Sequence, residues 1–376
     1  IKYIIKMSDT LCILPFISVD RNADTSDTPL APCCLYQHEQ EPHKTIDEYF
    51  AGNEIQKVRQ QMLLNQKPNG CWKCFDEESR GKNSMRQSVN KSRLDLHQDN
   101  ITSPKFPIQE KMLSGASCNL ACRMCQSHVS SKVHKVWEEI GRPTQEPYQY
   151  DLLMDNYIRA NSDNIQYIDL MGGEPLYHKK IINLLEYLVK SNHSRHITLY
   201  CTTNGMVINS DVVNLIRRFK KTVLIFSIDG VGQIHEYIRP GSTWSTIINN
   251  LGNIRKFFNI DCLVQPTISA LNILRLPELD KWCKDNMLHQ TQKCLVHDPK
   301  ELHPKNLPSN LKQQVDDKYK NFVEQEKTHS AKAFIDQLDE HWNTDITSVM
   351  PEWSKVSIDN IELDYESYKR SVELFR

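Results

Sequence analysis

The chain has 376 residues, enough to bury one large core with a smaller appended module, and its 46 basic and 47 acidic residues leave a formal net charge of -1. That balance argues against nucleic acid or an anionic membrane held by a global field, and no apolar run approaches the roughly 18 residues of a membrane span. Scarce glycine and 39% apolar residues suit a helix-rich protein, and twelve cysteines beside long amphipathic helices point to a cytoplasmic, reducing setting with metal ligation rather than a disulfide scaffold.

In chain order, Lys2 and Lys6 precede the apolar stretch Leu11–Val19, a weak echo of a signal peptide. Asp9 stands ahead of that stretch, Pro15 falls within it and no small-residue cleavage site follows, so it reads as a strand, with Met7 as a candidate natural start. A strand pair is expected around Ile13–Val19 and Ala31–Leu35, then a helix near Ile55–Leu64 and a polar stretch through Ser92. From about 108 to 300 strands and helices alternate. The strands are Lys111–Ser114, Ile165–Met171, Ile197–Thr202, Val223–Ile228, Ile260–Ile268 and a candidate at Lys293–His297. Helices are marked by His128–Ile140, by Ile181, Leu184, Leu185 and Leu188, by Val213, Ile216 and Phe219, by Trp244–Phe258 and by Leu276–Asn286. This rhythm predicts an α/β fold with a parallel sheet, its polar and turn residues gathered at the C-terminal strand ends. After Pro308 the chain is charged and helical, with an amphipathic segment around Phe322–Leu338.

Chemistry concentrates in Ser117-Cys118-Asn119-Leu120-Ala121-Cys122-Arg123-Met124-Cys125, spaced C-x3-C-x2-C. Three thiolates on a tight loop can hold three irons of a cubane and leave the fourth open to a small molecule. A zinc site is the alternative, with His128 as its fourth ligand. The next strand ends in Gly172-Gly173-Glu174-Pro175, where glycines permit close backbone approach and a carboxylate can meet an ammonium group. Thr203-Asn204-Gly205 ends the third strand, Ser227-Ile228-Asp229-Gly230 the fourth, and His235-x3-Arg239-Pro240-Gly241 follows. Asp229 reads as the cap of its own turn. Gln265, Thr267 and Asn272 are candidates to face a ligand. Cys201 and Cys262 read as small buried hydrophobes, and Trp72, Trp137, Trp244 and Trp282 as packing.

In this order and spacing the motifs resemble the radical S-adenosylmethionine superfamily, whose barrels carry the cysteine loop and then a GGE turn. The resemblance implies a partial (β/α)6 TIM-like barrel over 108–300, with a four-iron four-sulfur cluster on Cys118, Cys122 and Cys125. It further implies S-adenosylmethionine bound by Gly172, Gly173, Glu174, Asn204, Ser227 and Arg239, the last fitting a carboxylate bidentately. The N-terminal cysteines Cys12, Cys33, Cys34, Cys71 and Cys74, with the stretch Phe75 to Asn90, resemble the Twitch and SPASM auxiliary-cluster modules. Those modules usually follow the barrel; here the likeness lies at 1–107. It implies a second four-iron four-sulfur cluster on Cys12, Cys33, Cys71 and Cys74, with Cys34 in place of Cys33 as the alternative. Residues 301–376 form a helical extension with no assigned chemistry. The implied activity is reductive cleavage of S-adenosylmethionine to a 5′-deoxyadenosyl radical that abstracts hydrogen. The electron would come from a donor such as flavodoxin or ferredoxin, and the substrate would be a peptide or, alternatively, a small sugar alcohol undergoing dehydrogenation. A non-catalytic zinc-binding interaction protein is the rival of a different class.

Overall fold

A computed structural model describes residues 8–21, 30–37, 45–291, 293–323 and 330–356; Met7 lies outside them. The fold is α/β, with strands mostly in parallel and helices between them. Contacts divide the chain into two compact units, one of residues 1–113, 149–170 and 186–199, the other of 114–148, 171–185 and 200–376.

In the first unit, β1 (Ser18–Arg21), β2 (Leu30–Ala31), β3 (Gln109–Leu113) and β4 (Tyr167–Met171) line up in the order β2-β1-β3-β4. β1 runs parallel to β3, with Ser18 opposite Gln109, and antiparallel to β2. The expected strand at Leu11–Val19 is a strand only from Ser18, because Leu14–Ile17 is a short helix. Pro15 explains the correction: its fixed φ and missing N–H suit the first turn of a helix. The expected helix appears as Asn53–Leu63, buried along Ile55, Val58 and Met62. The polar stretch through Ser92 is instead two helices, Trp72–Ser79 and Met85–Arg93. The second is started by a capping box in which the Ser84 hydroxyl accepts from the Gln87 N–H and the Gln87 side chain accepts from the Ser84 N–H. Arg59, 3% exposed, ties this unit together by donating to the Pro15 and Phe50 carbonyls.

In the second unit, β5 (Thr198–Thr203), β6 (Lys221–Phe226), β7 (Ile260–Val264) and β9 (His289–Gln290) are neighbours in that order. β6 and β7 are parallel, with Thr222 opposite Ile260 and Phe226 opposite Val264. The single strand expected at Ile260–Ile268 is broken at Gln265-Pro266, since proline cannot continue the ladder as a donor. Its remainder, β8 (Thr267–Ile268), pairs with β10 (Cys294–Leu295) in a separate two-stranded sheet. Helix Trp244–Ile254 buries Ile247, Leu251 and Ile254 at helical spacing. In the amphipathic C-terminal segment the helix is Ser330–Trp342, while residues 324–329 lie outside the described ones. No helix among the described residues is long and apolar enough to cross a membrane.

Candidate active site

Residues 114–117 and the turn Gly172–Glu174 are docked backbone to backbone. Gly173 N–H donates to the Gly115 carbonyl at 2.9 Å and Glu174 N–H to that of Ser117 at 2.9 Å. Both glycines are required by this approach. Gly172 sits at φ +123°, where an added Cβ would lie 2.7 Å from Ser114 Oγ, and a Cβ on Gly173 would lie 2.4 Å from the Ser117 carbonyl oxygen.

This docking sets Glu174 beside the cysteine loop. A cavity of about 170 Å³ is lined by all three loop cysteines, by Gly172, Gly173 and Glu174, and by Thr202, Thr203, Asn204, Ser227, Arg239 and Thr267. The six residues that the resemblance assigns to S-adenosylmethionine therefore line one space in one unit, together with Thr267, whereas Gln265 and Asn272 do not. Glu174, 1% exposed, is held in place by the end of β5: Thr203 Oγ1 donates to its Oε1 at 2.8 Å and Asn204 N–H to its Oε2 at 2.7 Å. Burial pushes its carboxyl up to about 7, against the pull of those donors and of Arg239. Asn204 in turn donates from Nδ2 to Asn119 Oδ1 at 2.8 Å, joining the strand end to the cysteine loop.

Arg239 is more engaged than the sequence implied. Its Nε donates to Asp229 Oδ2 at 2.5 Å and its Nη1 lies 3.5 Å from Cys122 Sγ. Asp229 is thus no simple turn cap: it pairs with Arg239 while its Oδ1 accepts from Thr267 N–H at 2.8 Å. Asn272, wholly buried, braces the same corner by donating to the Asp229 and Thr267 carbonyls, and Gln265 is not among the lining residues. His128, the sequence's candidate fourth zinc ligand, is also absent from the lining and packs edge-on against Tyr148, ring centroids 4.8 Å apart.

Burial pushes the Cys118 thiol up to about 12 and raises Cys122 and Cys125 as well, with Arg239 the cation that opposes the shift. Thiolates there need further positive charge, as bound metal supplies. Among the described residues no three His, Cys, Asp or Glu side chains converge on the position of a single ion; the thiols ring a cavity instead.

A second cysteine group lies in the first unit. Cys12, Cys33, Cys71 and Cys74 line one small cavity of about 20 Å³ with Leu14, Pro15, Pro32, Leu35, Met62 and Met85, and Arg86 is its charged member. Cys34 is exposed and absent from that lining. Burial raises all four thiols, Cys12 and Cys71 to about 12. Arg86 donates from Nε and Nη2 to the Glu78 carboxylate at 3.0 and 2.6 Å and from Nη1 to the Leu11 carbonyl at 2.8 Å. Asn90 brackets Cys12, its Oδ1 accepting from Ile13 N–H at 3.0 Å and its Nδ2 donating to the Leu11 carbonyl at 2.7 Å.

Of the tryptophans expected to pack, Trp137 is buried and Trp244 meets Trp282 edge-on at 5.2 Å, but Trp72 is 51% exposed, its Nε1 donating to Gln37. Cys201 is buried as expected, whereas Cys262 is only half-buried.

Residues 112–269 match the family described as the radical SAM superfamily, so the chain carries a radical SAM domain over that span. Among solved structures it is similar to native anSMEcpe with bound AdoMet, at 18% identity and a TM-score of 0.40, the match covering 51% of this chain and 52% of that one. It is also similar to Streptococcus suis SuiB bound to S-adenosylmethionine, at 14% identity over 85% of this chain and 66% of that one, TM-score 0.40. A third is TsrM from Kitasatospora setae, a radical S-adenosylmethionine methyltransferase with cobalamin and a [4Fe-4S] cluster bound, at 12% identity over 49% and 36%, TM-score 0.36. The chain thus spans about half the length of the first of these. No curated protein matches it.

Proposed function

We infer that the protein is an enzyme whose three-thiol cavity holds a four-iron four-sulfur cluster and S-adenosylmethionine. The observation that carries the reading is that Cys118, Cys122 and Cys125 share one cavity with Glu174 and Arg239, inside the span that matches the radical SAM superfamily. Three thiolates leave one iron open, and the adjoining space is lined by hydroxyls, amides and a buried carboxylate suited to an amino-acid moiety. When bound, the cluster supplies the electron that cleaves S-adenosylmethionine to methionine and a 5′-deoxyadenosyl radical, which takes hydrogen from substrate.

The chain's own residues do the positioning. Glu174 offers negative charge to the ligand's ammonium while β5 fixes its rotamer. Gly172 and Gly173 let main chain approach the same group. Ser227 and Asn204 border the space as hydrogen-bonding groups. Arg239 carries positive charge to Cys122, and the family resemblance assigns it the ligand's carboxylate as well.

The domain scheme behind this reading is an auxiliary module over 1–107, the barrel over 108–300 and a helical extension over 301–376. Cys12, Cys33, Cys71 and Cys74 hold a second cluster in it, and their shared, mostly apolar cavity supports that assignment over Cys34. Four protein ligands leave no open iron, so this site serves electron transfer or structure. A peptide is the favoured substrate, on the resemblance of the paired cysteine sites to modules of peptide-modifying radical enzymes. Flavodoxin or ferredoxin is the proposed electron donor and the cytoplasm the proposed location.

The test is the Cys118→Ala/Cys122→Ala/Cys125→Ala variant, reconstituted anaerobically with iron and sulfide. It is expected to lose about four irons and all 5′-deoxyadenosine formation. Undiminished cleavage would refute the assignment, and wild type that stays colourless and carries zinc after the same reconstitution would favour the interaction-protein reading.

A further inference from the structure

The C-terminal extension, to which sequence reasoning gave no chemistry, reaches into the cysteine loop through one buried carboxylate. Arg123 lies between Cys122 and Cys125 and is 1% exposed, so its charge must be met inside the protein. Its Nη2 pairs with Asp339 Oδ1 at 3.0 Å and donates to Thr344 Oγ1 at 2.6 Å. Its guanidinium carbon sits 3.9 Å from the Tyr237 ring centroid and 4.7 Å from that of Trp342, a cation flanked by two aromatic faces.

Asp339 does more than neutralise Arg123. Its Oδ1 also accepts from Tyr237 Oη at 2.9 Å and from Thr344 Oγ1 at 2.7 Å, and its Oδ2 from Ile346 N–H at 2.8 Å. Tyr237 opens the segment that ends in Arg239 and Pro240, and that segment is laced to the cysteine loop. Arg123 Nε donates to the Tyr237 carbonyl at 2.8 Å, Arg123 N–H to that of Ile238 at 3.0 Å, and Ala121 N–H to that of Pro240 at 3.2 Å. Arg239, in the middle of this lacing, is the residue that touches Cys122 and Asp229. One carboxylate therefore grips both halves of the cavity wall, the loop bearing the thiols and the strand of chain bearing the arginine.

We propose that Asp339 is a positioning residue for the cysteine loop and for Arg239, and that residues 339–346 thereby belong to the S-adenosylmethionine site as its outer support. The proposal rests on the functional reading above. It requires no contact between Asp339 and ligand: a hydrogen-bonded carboxylate held by four donors fixes the geometry of the groups that do touch it.

The experiment uses the full chain, reconstituted with iron and sulfide, as wild type, Asp339→Asn and Tyr237→Phe. It measures S-adenosylmethionine affinity and the electron paramagnetic resonance spectrum of the reduced cluster with and without that ligand. Asp339→Asn is expected to weaken S-adenosylmethionine at least ten-fold and to diminish the spectral change the ligand causes, the scale of losing hydrogen bonds to a charged group. Tyr237→Phe, which removes one donor and keeps the ring, is expected to weaken it about five-fold. Wild-type affinity and spectra in both variants overturn the proposal while leaving the functional reading intact. A variant that loses thermal stability but, folded, keeps the wild-type affinity and spectrum shows a merely structural role and overturns it too. Should Asp339→Asn fail to fold, Tyr237→Phe decides alone. Folded wild type that takes up no iron overturns both the proposal and the functional reading.

Discussion

The two cysteine groups are built on opposite plans. Cys118, Cys122 and Cys125 come from one loop, ring a cavity of about 170 Å³ and share it with a carboxylate, a guanidinium, amides and hydroxyls. Cys12, Cys33, Cys71 and Cys74 come from three separate segments and close on about 20 Å³ among leucine, proline and methionine. The first plan leaves room beside the thiols, the second leaves room for scarcely one water. A site meant to present an open metal position to a small molecule needs space and polar guides. A site that encloses a fully ligated group needs no polar guides. The difference in lining thus separates a roomy polar cavity from a small, mostly apolar one more clearly than cysteine count does.

The largest effect expected from breaking this contrast is in the closed group. A Cys71→Ala/Cys74→Ala variant should lose about half its iron and its substrate-derived product, yet keep some abortive cleavage of S-adenosylmethionine, because the open site is untouched. Elemental analysis and product assay check this; iron unchanged with zinc lost would make the closed group a zinc site.

Next in size is the polar guide of the open group. Glu174→Gln should weaken S-adenosylmethionine by about 1.5–3 kcal/mol, as read by equilibrium binding. The wild type should also show a pH dependence that the variant lacks. Burial holds the Glu174 carboxyl near 7, so below that pH the free protein carries a proton there, and an ammonium ligand must displace it. Affinity should rise towards pH 7 and level off above it. The unliganded fold carries the opposite sign: the proton that Glu174 holds in the folded state stabilises it in acid, and that contribution fades as pH rises from 4.5 to about 7.

The smallest effect lies in the frame of the closed group. Arg86→Lys exchanges a fork on Glu78 for a point charge and gives up part of the grip on Leu11. It should cost about 1–2 kcal/mol in denaturant unfolding and leave S-adenosylmethionine binding unchanged.

The open group was legible in sequence because its parts are local: a loop of eight residues, a glycine turn and strand ends, each with its own spacing. The β/α alternation was legible for the same reason, since Ile181, Leu184, Leu185 and Leu188 fall on one buried face at helical intervals. The closed group was legible as a set of candidates, and the choice between Cys33 and Cys34 was not, because adjacent residues differ only in the direction their side chains take after folding. Helices Trp72–Ser79 and Met85–Arg93 escaped notice because their apolar positions are few, although Ser84 and Gln87 spell a capping box. Arg123 carried a signal in hindsight: a charge inside a tight cysteine loop asks for a buried partner. Nothing local names that partner, since Asp339 stands far along the chain and is brought up by tertiary packing alone.

Asn90 has a consequence for how the molecule is assembled. By taking the N–H of Ile13 and giving to the carbonyl of Leu11, it acts towards the backbone on either side of Cys12 as a neighbouring strand would. Cys12 is therefore held near Cys71 and Cys74 by the polypeptide itself. The entropy of closing that long loop is met by hydrogen bonds and apolar burial before any metal arrives. Small zinc domains that fold only when loaded follow the reverse order. Here the chain should hold its thiol-bearing segments together without metal, and any group larger than a water has to widen the roughly 20 Å³ between them as it enters.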